Sequence, residues 1–349
     1  MGVRNAVLGA VAAVWVVLSA GAYGQGLSRM LYWADKDAGR IQRARLDGTG
    51  VEDILTWEDG LIEPRGLGID IGAGKMYWVD AGLRAIYQTN LDGTDWELMA
   101  DGLSFPADLA LDMVRGRVYW SDTGAQKILR MNLDGSGVQD VVAGVGFPYY
   151  IELDEINNVL YWSDVDDTYI RRMVLDEGPV ETVVSGLTHV RDIALDLYGG
   201  KLYWGDRGSH KVQRMNLDGT GGVEDLFIAA EGLDRPHGLV LDYQARQVYW
   251  TDTRTYAIHR GNMDGSGSPQ KLVFGGGMEG PWAMVIVPMT PDMEQDGDVD
   301  GADFALFAGW WGQDACGRLD FWCGGADLTA DGRVGFDDVM AFSGAWLEP

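Results

Sequence analysis

The chain has 349 residues, with 27 Lys and Arg against 53 Asp and Glu and a formal net charge of −26. That length allows a large buried core and more than one domain. The charge excludes nucleic acid and anionic membranes as partners, because either would be repelled.

At the N-terminus, Arg4 precedes an apolar run from Ala6 to Leu18 and then the small residues of SAGAYGQ. This is the layout of a secretory signal peptide over residues 1–24, with cleavage expected after Ala22 or Gly24. An uncleaved anchor is the alternative, disfavoured because the run is short for a bilayer span. Nothing later in the sequence is apolar enough over enough length to cross a membrane. The expected location is therefore secreted, extracellular or periplasmic, with no membrane span once the signal is cleaved.

From residue 28 onward a pattern repeats. Tyr32-Trp33-Ala34-Asp35 is followed by Tyr77-Trp78-Val79-Asp80, Tyr119-Trp120-Ser121-Asp122, Tyr161-Trp162-Ser163-Asp164, Tyr203-Trp204-Gly205-Asp206 and Tyr249-Trp250-Thr251-Asp252, at intervals of 42 to 46 residues. Seven residues before each Tyr from the second copy onward, an apolar run closes on Asp70, Asp112, Asp154, Asp196 or Asp242. Twelve residues after each motif Asp stands another, in LDGTG or a close variant: Asp47, Asp92, Asp134, Asp176, Asp218 and Asp264. A short β-rich run then follows. Each unit thus reads as four short strands joined by tight turns. In a strand, adjacent side chains point to opposite faces, so Tyr and Trp side by side require packing on both faces. Blades in a ring supply it, and a four-stranded unit of this period predicts a mainly β, six-bladed propeller. The motif Asp is expected to bond backbone donors at the strand end. The first unit lacks an upstream apolar strand, while Pro281–Val287 supplies one with no unit after it. Closure of the ring across the two ends is the expectation.

These six phased motifs resemble the YWTD propeller, the class B repeat of the low-density lipoprotein receptor family, over residues 28–288. The third motif residue varies, and the cysteines of that family's epidermal-growth-factor-like modules are missing. The resemblance therefore implies the propeller and not receptor-type endocytosis.

After a linker at 289–291 the composition changes: residues 292–349 hold thirteen Asp and Glu against two Arg. EF-hand-type calcium loops place oxygen ligands at positions 1, 3, 5, 7, 9 and 12, with Gly at 6. Asp292, Glu294, Asp296, Asp298, Asp300 and Asp303 fit, with Gly297 at the turn. A second, weaker loop comprises Asp327, Thr329, Asp331, Arg333 by its carbonyl, and Asp338; Gly335 leaves position 9 without a side chain. Each loop runs into an apolar-periodic helix, ADFALFAGWW or FDDVMAFSGAWL. Two such units look like a small α-helical dockerin domain over 292–349, implying two Ca²⁺ ions and a cohesin-like partner. In cellulosomal dockerins polar residues at loop positions 10 and 11 help recognise cohesin; here those positions are Gly301-Ala302 and Phe336-Asp337, a departure that argues against a cellulosome-type cohesin. Between the loops lie the two cysteines, Cys316 and Cys323, expected in an oxidising compartment to form one small disulfide.

The four histidines, His189, His210, His237 and His259, show no metal-ligand spacing, and no Gly-x-Ser-x-Gly, His-Glu-x-x-His or phosphate loop is present. Variation among the units is more informative. The start of each first strand and the end of each second lie on one rim, where lengths and residues differ, and variable loops on a fixed scaffold carry function. Near the axis of that rim the pattern places Arg65, Asp108, Tyr149, Tyr150, Arg191, Asp192, His237 and Trp282. They either bind a protein, peptide or glycan, or plug the channel. The expectation is a secreted, non-enzymatic binding protein docked through a calcium-loaded tail. The alternative is an extracellular carbohydrate-active hydrolase or lactonase carried on a dockerin.

Overall fold

The Tyr-Trp strands are the second of four in every blade, hydrogen-bonded on both edges. Lys75–Asp80, for example, pairs antiparallel with Pro64–Asp70 on one side and with Ala85–Asn90 on the other. The computed structural model describes residues 30–287, apart from 71–72, 165–167, 177, 198, 244 and 275–277. The segment expected to be a signal peptide, the loops of 292–349 expected to bind calcium and the expected Cys316–Cys323 disulfide lie outside the described residues. Within them, six four-stranded antiparallel sheets form a six-bladed propeller. The inner strands are Pro281–Val287, Pro64–Asp70, Pro106–Asp112, Pro148–Asp154, Val190–Asp196 and Pro236–Asp242, for blades 1 to 6. Five begin with proline, which a strand tolerates at its first position because no ladder donor is needed there.

Blade 1 is assembled from both ends of the described chain. Pro281–Val287 pairs antiparallel with Met30–Asp35, matching Met30 to Val287 and Asp35 to Pro281. This is the closure expected from the missing first strand.

Why Tyr and Trp alternate is visible in the core. The core comprises six apolar clusters, one between each pair of neighbouring blades. Each holds the motif Tyr of one blade and the motif Trp of the next: Tyr32 with Trp78, Tyr77 with Trp120, Tyr119 with Trp162, Tyr161 with Trp204, Tyr203 with Trp250, and Tyr249 with Trp33. All six tryptophans are fully buried. Each ring removes roughly 200 Å² from water, on the order of 5 kcal/mol by area.

Length variation among the units also has a structural cause. The connections from blade 1 to 2 and from blade 5 to 6 each contain a 3₁₀ turn, Trp57–Asp59 and Ala229–Glu231. The first is capped reciprocally: Thr56 Oγ1 accepts the Glu58 N–H, and Asp59 accepts the Thr56 N–H. No helix among the described residues is long and apolar enough to cross a membrane.

Candidate functional site

The repeated carboxylates build the rim. Asp80, closing a second strand, accepts N–H groups from Ile62 and Glu63 on the incoming connection and from Leu83 in the following turn. Asp122 does the same with Ser104, Phe105 and Ala125, and Asp252 with Asp234, Arg235 and Thr255. The motif Asp therefore fixes the residue just before each inner strand, at the mouth of the channel. The Asp residues ending the inner strands hold their turns through the N–H three residues on, as Asp112 does with Arg115.

The third motif residue, variable in sequence, carries a second function. Ser121 Oγ accepts the Asp108 N–H and donates to the Tyr149 carbonyl of the next blade. Thr251 Oγ1 accepts the Gly238 N–H at 2.7 Å and donates to the Trp282 carbonyl at 2.9 Å. These hydroxyls tie neighbouring inner strands together at the axis. Gly238 allows the approach: a Cβ there would sit 1.8 Å from the Trp282 carbonyl oxygen.

All eight rim residues expected from sequence occupy the second or third position of an inner strand, and all are buried. They form one network. The Arg65 guanidinium donates to Tyr149 Oη at 2.7 Å and to Glu63 at 2.9 Å, and lies 5.2 Å from the Trp282 ring centre. Arg191 lies 5.0 Å from the centre of the Tyr149 ring. Tyr150 Oη and His237 Nδ1 are hydrogen-bonded at 2.6 Å, and the His237 ring packs 3.6 Å from that of Trp282. Asp108 and Asp192 accept backbone N–H groups across blade boundaries, from Ile151 at 3.0 Å and Leu239 at 2.8 Å. Burial raises both carboxyls well above their ordinary range. Burial, then the charges of Arg191, Arg207, Arg65 and Lys36, hold the His237 imidazole well below its usual value and so neutral.

Most of this network is therefore an interior plug. The surface around it comes from residues the sequence reading passed over. Phe105 and Phe147, each 36% exposed, immediately precede inner strands. Arg235 occupies the same position in blade 6, while Lys36 and Arg207 immediately follow motif Asp residues. The available signal was positional: these two places, flanking the inner strand and the motif, vary among the units while the motif itself recurs.

No family model matches the chain. Nidogen-2 of Mus musculus is 46% identical over 68 residues, 19% of this chain and 5% of that protein. Low-density lipoprotein receptor-related protein 5 of Mus musculus is 41% identical over 56 residues, 16% of this chain and 3% of that protein. The chain thus spans a small part of these curated relatives. A crystal structure of a nidogen/laminin complex superposes with a TM-score of 0.67 at 20% identity, covering 74% of this chain and 98% of the matched one. The propeller is of the YWTD type. A streptogramin B lyase superposes on this YWTD propeller at a TM-score of 0.54 with 15% identity, over 74% of this chain and 85% of the lyase. That likeness is one of fold alone.

Proposed function

We propose that the protein is an extracellular binding module whose propeller takes a protein or peptide ligand on the variable rim. One observation carries this reading: the mouth combines exposed Phe105 and Phe147 with the cations of Lys36, Arg207 and Arg235 over a rigid aromatic plug. Anchors of that composition on a preorganised scaffold suit protein recognition. The likeness to nidogen, in a structure solved as a complex with laminin, supports a protein partner. The carbohydrate-active alternative requires carboxylates or a metal set facing the mouth. Asp108 and Asp192 instead bond backbone amides, which favours binding.

In the same proposal, residues 292–349 are a dockerin-like tail that binds two Ca²⁺ ions and docks the propeller to a cohesin-like or other extracellular protein. The rim reading is tested by probing peptide and glycan arrays with the full chain. A bound peptide should lose about tenfold or more in affinity with the F105A/F147A variant, as expected when hot-spot aromatics are truncated. Binding that is unchanged in this variant places the site elsewhere, and glycans bound in preference to peptides replace the ligand class.

A further inference from the structure

The mouth has an electrostatic character opposite to that of the chain as a whole. Lys36 and Arg65 stand over the same Trp282 ring, at 5.3 and 5.2 Å from its centre, and share Glu63 at 3.3 and 2.9 Å. Arg65 and Arg191 both face the Tyr149 ring, at 5.9 and 5.0 Å. Arg207 follows the strand that pairs with the inner strand of Arg191, and its N–H bonds the His189 carbonyl at the start of that strand. Arg235 stands two residues before His237, on the next blade.

Arg191 is 9% exposed, and its Nε is buried without a hydrogen-bond partner among the described residues; Arg65 Nε is likewise unpartnered. No acidic group among the described residues pairs with Arg191, Arg207 or Arg235, in a chain with 53 carboxylates to 27 Lys and Arg. Glu63 is already shared, while Asp108 and Asp192 accept amide N–H groups deeper in the channel. A buried guanidinium without a counter-charge is costly, because desolvation is not offset by pairing. Crowding is evident at Arg207, whose guanidinium is made more acidic by burial, then by Arg191 and Arg235.

We propose that the mouth of the channel is a receptor for a single oxyanion group of the ligand, a carboxylate or a sulfate or phosphate monoester, held by Arg191, Arg207 and Arg235. The proposal rests on the rim as the binding site and names the group recognised there. Guanidinium forks match the paired oxygens of these anions and hold them bidentately. A single group is favoured over a polyanion, because a net charge of −26 repels an extended anionic chain while the mouth attracts one inserted charge. Phe105 stacks 4.4 Å from the Arg65 guanidinium, leaving an apolar wall beside the anion position for the segment that carries it.

The test uses the full chain with arginine labelled by ¹⁵N. The Nε–Hε signals of Arg65 and Arg191, assigned from R65K and R191K, are followed during titration with sodium acetate, sulfate or phosphate. Sodium chloride at matched ionic strength is the control. The expected result is a saturable shift of the Arg191 signal with at least one oxyanion, and none with chloride. R207Q/R235Q should weaken that apparent affinity about tenfold, the scale of one charge-assisted hydrogen bond. R207K/R235K, which keeps the charges but not the forks, should fall between the parent and R207Q/R235Q at an unchanged melting temperature. Shifts that follow ionic strength alone, or equal affinity in R207Q/R235Q, overturn the proposal. A rim-bound peptide that no oxyanion displaces also overturns it, yet leaves the rim reading standing. Anion binding by a chain whose ligands ignore Phe105 and Phe147 has the reverse meaning.

Discussion

At the scale of single residues, the propeller separates side chains that hold blades together from those that face the mouth. Trp120 is fully buried against Tyr77 of the previous blade. Trp120→Ala leaves a cavity and should cost about 3–5 kcal/mol in chemical denaturation. Phe147→Ala, at a position 36% exposed, should change stability far less. The buried polar groups of the plug make stability depend on pH in two opposed ways. His237 stays neutral in the native state because of burial and of nearby Arg191, Arg207, Arg65 and Lys36. The unfolded chain takes up a proton there below about pH 6.5, so stability falls as pH drops through that value. Asp108 and Asp192 have raised native values, from burial in both and additionally from Asp108 for Asp192. The unfolded chain releases those protons above about pH 4, so their contribution falls as pH rises from there. H237N should therefore lose less stability than the parent chain between pH 7 and 5, and D108N less between pH 4 and 7. Urea denaturation at fixed pH reads both slopes; parallel slopes for parent and variant contradict the assignment.

At the scale of the strand and blade, closure by Pro281–Val287 is the element on which the ring depends. A chain truncated after residue 280 leaves Met30–Asp35 with one free edge and the axis without Trp282. It should aggregate and lose its cooperative thermal transition, because an unpaired strand edge recruits other edges. Truncation after residue 291 should keep both solubility and transition; identical melting of the two chains contradicts the closure argument. This element was legible in sequence because the repeat has a phase. Six Tyr-Trp motifs with five preceding apolar strands leave one strand to be found, and Val287 stands where the other strands end in Asp. The Asp-bonded turns were legible for the same reason, since each recurs at a fixed offset and must solve the same hydrogen-bonding problem. The mouth was only half legible. Position along the inner strand identified Arg65, Tyr149, Arg191, His237 and Trp282 as axial, but not how deeply six converging strands bury them. Nor does a repeat signal report residues that break the repeat, such as Arg207 and Arg235. The hydroxyls of Ser121 and Thr251 look like tolerated variation until the neighbouring inner strand is seen to present a carbonyl to them.

At the scale of the whole molecule, the described residues hold so little helix that one measurement tests the proposal for the tail. The described residues contain 24 strands and, as helix, only two three-residue 3₁₀ turns. A change in helical circular dichroism of the full chain therefore reports on residues outside them. The proposed calcium loops concentrate carboxylates at Asp292, Glu294, Asp296, Asp298, Asp300 and Asp303, and removing the ion leaves those charges repelling one another. Chelation of the full chain should reduce ellipticity at 222 nm (a far-ultraviolet helix band), and excess Ca²⁺ should restore it. Direct titration should find two sites of unequal affinity, because Gly335 gives the second loop no side chain at its ninth position. Asp296→Ala, which removes a charged ligand from the stronger loop, should abolish one site and most of the recovered helix. Thr329→Ala, which removes a neutral oxygen from the weaker loop, should cost less. The propeller is expected to keep its thermal transition throughout, since no carboxylate of its blades takes part. A 222 nm signal indifferent to chelator, or a stoichiometry that Asp296→Ala leaves at two, removes calcium from the account of the tail and with it the basis for a docking function.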